Sequence, residues 1–129
     1  MKILLAKPGL DGHDVGVKVL AHALKEAGHT VIYTGLRKSI GDIAARAKKE
    51  SPDVIGLSIL SGTHQILCEK LNEEMAKNKL FVPWIVGGNI PAEDISSLEK
   101  SGAKKAFPTG TRIETVVSYI NSLENIAVK

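Results

Sequence analysis

A chain of 129 residues with 43% hydrophobic content can bury one core and is too short for two ordinary domains, so residues 1–129 are read as one domain. The formal net charge of +3 comes from lysines spread over helical segments; arginine stands only at Arg37, Arg46 and Arg112, and no basic run is interleaved with aromatics, which argues against a nucleic-acid surface. A single cysteine, Cys68, excludes an internal disulfide and fits a reducing, cytoplasmic setting; no apolar run is long enough to span a bilayer, and the opening Met-Lys-Ile-Leu-Leu enters a strand directly instead of a signal sequence.

Five apolar runs alternate with helical patterns. The first strand covers about Ile3 to Lys7. After the loop Pro8 to Gly16, a helix repeats apolar residues at Val17, Leu20, Leu24 and Ala27 and stops at Gly28. Thr30 to Tyr33 forms the second strand and ends at Thr34-Gly35. Ser39 and Asp42 have the spacing of a capping box, and the helix they open places Ile40, Ile43, Ala44 and Ala47 on one face. Val54 to Ser58 reads as a strand buried on both faces. Ser61-Gly62-Thr63 breaks it, and a helix with Leu67, Leu71 and Met75 in line follows. A fourth strand, Trp84 to Val86, ends in Gly87-Gly88, with Pro83 at its beginning. Pro91 suits the first turn of a short helix carrying Ile95 and Leu98. A brief fifth strand, Lys105 to Phe107, precedes a helix with Val116, Val117 and Ile120, for which Thr111 and Glu114 are the expected cap.

Strict alternation of strand and helix predicts an α/β fold: a doubly wound parallel sheet of flavodoxin-like order 2-1-3-4-5. In that order the first and third strands are neighbours at the switch point. The loop carrying His13 and the segment Ser58-Ile59-Leu60-Ser61-Gly62 then flank one crevice. Gly35, Gly87-Gly88 and Thr109-Gly110-Thr111 lie along the same rim.

The first loop, Lys7-Pro8-Gly9-Leu10-Asp11-Gly12-His13-Asp14-Val15-Gly16, holds an ammonium, a carboxylate and an imidazole among glycines that let it bend. Imidazole becomes a stronger metal ligand when its other nitrogen donates to a carboxylate. Asp11 is close enough to His13 to be that carboxylate, and Lys7 can neutralise Asp11. One imidazole cannot hold a bare ion, since ordinary zinc sites need several protein ligands. His22, His29 and His64 share no ligand spacing with His13, and there is no Cys-x-x-Cys. A metal would therefore arrive chelated by a macrocycle, which leaves haem and corrin, and glycines along the rim favour a cofactor that sends a long substituent into the protein.

Taken together, Asp11-x-His13-x-x-Gly16, Ser58-x-Leu60 and Gly87-Gly88 resemble the cobalamin-binding domain of the mutases and corrinoid methyltransferases. The wider wording, Ala-Lys-Pro-Gly-Leu-Asp-Gly-His-Asp, Val-Ile-Tyr-Thr-Gly-Leu and Ile-Gly-Leu-Ser-Ile-Leu-Ser-Gly, looks most like the acyl-CoA mutases, above all those of methylmalonyl-CoA mutase type. The resemblance implies that His13 is the lower ligand to the cobalt of adenosylcobalamin, with Asp11 and Lys7 behind it. It implies that the displaced nucleotide tail threads between the first and third strands past Ser58, which hydrogen-bonds the base. Leu60 lines that slot, Gly62 lets the tail pass, Ser61 between them is a further cofactor contact, and Gly87 and Gly88 accept the tail without a Cβ. Gly12, Asp14 and Gly16 complete the loop; Tyr33, Thr34, Gly35, Thr109, Gly110 and Thr111 are outer contacts. Val15 stands where the family pattern has a basic residue.

The resemblance further implies a radical isomerase whose acyl-CoA site lies in a separate barrel, for which this length leaves no room. The expected role is that of a small subunit, active only with a larger partner that binds the acyl-CoA. Corrinoid methyl carriers share the loop but place a helical cap before the sheet, and small subunits of glutamate mutase match the wording less well. Outside cobalamin chemistry, a receiver domain would need an aspartate where Ser58 stands, and a flavin site would need a Ser/Thr-rich first loop. Of the remaining residues, His22 and His29 are expected on solvated surface, Cys68 and Trp84 in the core. His64, at the start of a helix, is expected near the corrin or a partner, or in an ordinary capping or surface role.

Overall fold

The computed structural model describes residues 1–8, 15–35, 38–59 and 64–128, with the side chains of residues 124–128 left aside. Its elements are β1 (Lys2–Ala6), α1 (Val15–Glu26), β2 (Thr30–Tyr33), α2 (Ile40–Glu50), β3 (Val54–Ile59), α3 (His64–Lys77), β4 (Trp84–Gly88), a single 3-10 turn (Ala92–Asp94), α4 (Ile95–Lys100), β5 (Lys105–Ala106) and α5 (Ile113–Val128). All pairings are parallel and the order is β2-β1-β3-β4-β5, the flavodoxin-like order expected. Parallel neighbours force each connection to cross back over the sheet, and here each crossover carries a helix.

Alternation along each strand divides the core into two layers. Leu4, Ala6, Ile55, Leu57, Ile59, Trp84 and Val86 face α2, α3 and α4 and pack against Ile43, Ala47, Cys68, Leu71 and Leu98. Ile3, Leu5, Val54, Ile85 and Phe107 face α1 and α5 and pack against Val17, Leu24 and Ile120. The capping box at Ser39 is present: its hydroxyl accepts from the Asp42 N–H at 3.0 Å, and the Asp42 carboxylate accepts from the Ser39 N–H at 3.4 Å. The four apolar residues assigned to that helix, Ile40, Ile43, Ala44 and Ala47, are all buried.

Three local expectations are corrected. Thr111 does not cap the last helix: hydrogen bonding begins at the Arg112 carbonyl, while the Thr111 hydroxyl turns back to donate to the Pro108 carbonyl at 2.6 Å. Pro91 precedes the 3-10 turn in an extended conformation, because a short 3-10 turn comes before α4. His29 is 5% exposed, not solvated. Gly28, at φ +99°, turns the chain sharply out of α1 and tucks the His29 ring under the amino end of the sheet. There Nδ1 lies 3.2 Å from the Met1 ammonium and Nε2 lies 2.7 Å from Asn121 Oδ1. His22 is solvated, on the outside of α1 beside Glu26.

Candidate functional site

The two layers differ at the carboxyl end of the sheet. Toward α1 and α5, the residues of β3 and β4 after Val54 and Ile85 become small: Gly56, Ser58 and Gly87, with Leu5 opposite Gly56 and Ser58 opposite Gly87 in the register. Small side chains leave the helices standing off the sheet. The result is a cavity of about 210 Å³. Its floor is Leu5, Gly56, Ser58, Ile85 and Gly87; its roof is Gly16, Val17 and Leu20 of α1 with Ile113 and Val116 of α5. Phe107 and Pro108 stand at the β5 side, and Gly88, Gly110 and Thr111 at the rim. Tyr119 packs edge-on against Phe107, with centroids 5.7 Å apart at 79°.

Among the described residues no charged side chain lines this space, and the hydroxyls of Ser58 and Thr111 are its polar side-chain groups. Such walls suit a flat, neutral ring with a few hydrogen-bonding atoms. Pockets that enclose a whole drug-sized ligand run to roughly 300–1,000 Å³. This cavity is smaller, so a large cofactor would insert only an arm and leave its body outside the rim.

The glycines separate into those the fold requires and those it does not. Gly88 is required: its φ is +118°, and a Cβ there would lie 2.4 Å from the Ile59 carbonyl oxygen. The resemblance assigned Gly88 to the ligand, but its own neighbouring strand already excludes a side chain. Gly110, at φ +89°, is fixed by its turn. Gly87 has no such constraint, since a Cβ would make only ordinary contact with Phe107 at 3.6 Å; at Gly16 a Cβ would meet nothing within 4 Å. Glycine inside a regular element costs up to about 1 kcal/mol relative to alanine. With no internal clash to explain them, Gly16 and Gly87 fit a cradle whose open space belongs to an inserted group.

The structure therefore brings Gly16, Ser58, Gly87, Gly88, Gly110 and Thr111 together around one cavity. Tyr33 packs against the α1 and α5 layer, Gly35 sits in its own turn at φ +92°, and neither lines the cavity. Thr109 is committed elsewhere, its hydroxyl 3.0 Å from Asn89 Oδ1 and 3.1 Å from the Ile90 carbonyl. Lys7 follows β1 and is fully buried, an unusual place for an ammonium unless it is paired. Pro8 beyond it bridges to Lys38, so the start of the first loop runs beside the segment entering α2. Asp11, Gly12, His13, Asp14, Leu60, Ser61 and Gly62 lie outside the described residues.

Gly56, Phe107 and the apolar roof residues Val17, Leu20, Ile113 and Val116 were not singled out as site residues from the sequence. Gly56 was detectable, since glycine inside an apolar strand marks a close approach or a gap. The others read as ordinary core. His64 is buried at the start of α3, with Nε2 2.7 Å from Asp94 Oδ2. Burial, with a contribution from Glu69, pushes the Cys68 thiol up to about 12, which suits a packing residue and not a nucleophile. Among the described residues no group of three or more His, Cys, Asp or Glu is placed to hold a bare metal ion, and no helix is long and apolar enough to cross a membrane.

A doubly wound parallel sheet with a cavity at its carboxyl rim belongs to the class of α/β proteins that take their ligands outside the carboxyl ends of the strands. Residues 1–117 match the B12 binding domain family, and the chain belongs to that family. It is 40% identical over 126 residues to the 2-hydroxyisobutanoyl-CoA mutase small subunit of Aquincola tertiaricarbonis, covering 95% of this chain and 91% of that one. It is 41% identical over 107 residues to ethylmalonyl-CoA mutase of Cereibacter sphaeroides, covering 83% of this chain but only 16% of that enzyme. Among solved structures, a cobalamin-binding protein from Desulfitobacterium hafniense DCB-2 superposes with a TM-score of 0.81 at 21% identity, covering 94% of this chain and 57% of that one, a likeness of fold.

Proposed function

We propose that this chain is the cobalamin-binding subunit of an adenosylcobalamin-dependent acyl-CoA mutase. It would work in the cytoplasm with a larger subunit whose barrel binds the acyl-CoA. The observation that carries this reading is the cavity, lined by Ser58 and by Gly16 and Gly87, two glycines the fold does not require, in a chain similar over nearly its whole length to a mutase small subunit. The match to a short stretch of the much longer ethylmalonyl-CoA mutase supports a division of labour between a cofactor domain and a substrate-binding body.

When bound, the cofactor would supply radical chemistry through its cobalt–carbon bond, and the protein would supply position and electronics. His13 would hold the cobalt through its imidazole, Asp11 would orient that ring by accepting from its other nitrogen, and Lys7 would temper the charge on Asp11. The apolar walls exclude water from the inserted nucleotide arm, and Ser58 hydrogen-bonds its base. Gly16, Gly110 and Thr111 border the same cavity, while Tyr33, Gly35 and Thr109 stand outside it; Gly12, Asp14, Leu60, Ser61 and Gly62 are assigned to the cofactor by the sequence resemblance alone.

Mixing the chain with hydroxocobalamin should give the spectrum of cobalamin without its own lower base and with a protein imidazole in its place. In the cobalt(II) state, the nitrogen hyperfine pattern should change when the histidines carry ¹⁵N, and His13→Ala should abolish that isotope dependence while the far-ultraviolet circular dichroism is unchanged. A sample that stays colourless after gel filtration, alone and with its companion subunit, overturns the proposal; an isotope dependence that survives His13→Ala overturns the ligand assignment.

A further inference from the structure

Among the described residues, one buried side-chain nitrogen has no hydrogen-bond partner, and it is Nδ1 of His64. The ring is held from its other side. Nε2 lies 2.7 Å from Asp94 Oδ2, and the His64 side chain is 6% exposed. Asp94 precedes α4, yet its carboxylate makes no capping bond to that helix; it is committed to the ring. Gln65 repeats the link one residue on, donating from Nε2 to Ser97 Oγ at 3.0 Å. The beginning of α3 is thereby tied to the beginning of α4 at the carboxyl end of β3 and β4, the end where the cavity opens.

This arrangement fixes the ring and leaves one atom unused. With the Nε2 proton directed at a carboxylate, Nδ1 of a neutral imidazole carries a lone pair and needs an N–H donor; in the imidazolium it carries a proton and needs an acceptor. A primary carboxamide serves both cases, because it offers two N–H groups and a carbonyl oxygen. Leaving a buried polar atom unpaired is unfavourable, and native folds rarely do so without a reason. The corrin macrocycle carries primary carboxamide arms around its edge.

We propose that His64 Nδ1 takes a peripheral carboxamide of the corrin, with Asp94 as the residue that holds the ring in place for it. The proposal rests on the cobalamin reading above. Since Nδ1 has no free surface in the described structure, the bond requires a local adjustment at the rim, so it reports the seated cofactor and not the first encounter. His64 is a positioning residue for the macrocycle, independent of the cavity that would receive the nucleotide arm.

The test uses the whole chain with imidazole ¹⁵N labelling, and two diamagnetic cobalt(III) probes. Hydroxocobalamin has both the carboxamide arms and the nucleotide; dicyanocobinamide keeps the arms and lacks the nucleotide. The His64 Nδ1 resonance should move with both. His64→Gln places its amide near the position of Nε2, retaining the link to Asp94 but losing the corrin bond, and should weaken both probes roughly three- to tenfold with little change in melting temperature. His64→Asn places its amide near Nδ1, and should bind within about twofold of the parent while melting lower. If the parent binds both probes but the Nδ1 resonance stays still, or if His64→Gln binds as the parent does, the inference is overturned and the functional reading stands. A resonance that moves only when the larger subunit is added overturns it as well, assigning the nitrogen to that subunit. If the parent binds neither probe, alone or with the larger subunit, the functional reading itself has failed.

Discussion

The two faces of the sheet use the same strands to opposite ends. Toward α2, α3 and α4, β3 presents Ile55, Leu57 and Ile59, and the layer is filled by branched and aromatic side chains. Toward α1 and α5, the residues between them in sequence are Gly56 and Ser58, and the layer is hollow near the rim. A period of two lets one strand be stabilising on one side and receptive on the other. Both layers are packed toward the amino end of the sheet, but near the carboxyl rim only one is filled, so ligand binding can be altered at the rim of the other at little cost to the fold.

This contrast can be tested with single substitutions. Gly88→Ala should be the most severe, since it forces an unfavourable φ and a backbone clash with Ile59; the expected loss is about 3–6 kcal/mol by urea unfolding. Leu71→Ala, on the filled face, should cost about 2–5 kcal/mol of stability while any folded protein binds cobalamin with unchanged affinity. Gly87→Ala, next to the residue that cannot change, should leave stability equal or raise it by about 0.4–1 kcal/mol. The same methyl should weaken cobalamin by about 1–3 kcal/mol in a titration. Equal behaviour of Gly87→Ala and Gly88→Ala in both measurements would remove the distinction between the glycines.

The smallest effect concerns pH. The Cys68 thiol is raised from 9.0 to about 12 in the folded chain, so the unfolded state loses its proton first as pH rises. The contribution is fully present below about pH 9 and is lost between there and about pH 12. Stability measured across that window should fall more steeply in the parent than in Cys68→Ala, and thiol labelling at pH 8 should follow unfolding.

Much of the scaffold was legible in the amino-acid order because its signals are local. The Ser39 and Asp42 pair, the apolar spacing from Ile40 to Ala47 and the regular alternation of strands with helices each occupy a short window. The cavity was only half legible. Gly16, Ser58 and Gly87 stood out as motif residues, but Gly56, Phe107 and Val116 become its lining only after residues far apart in sequence share one side of the sheet. His29 was misplaced for a similar reason: its partners, Met1 and Asn121, are brought to it by the assembled sheet and by α5. Gly88 was noticed as a motif residue, yet its requirement comes from Ile59 on the adjacent strand.

Trp84, the one tryptophan of the chain, is 3% exposed at the start of β4 and donates from its indole N–H to Asn72 Oδ1 at 3.1 Å. Because it lies on the filled face, its emission reads the integrity of that layer and needs no engineered label. A visible-absorbing macrocycle seated at the far end of the same strand would quench that emission by energy transfer, so a single fluorimeter trace would follow both unfolding and docking, the first as a red shift and the second as a loss of intensity at constant wavelength.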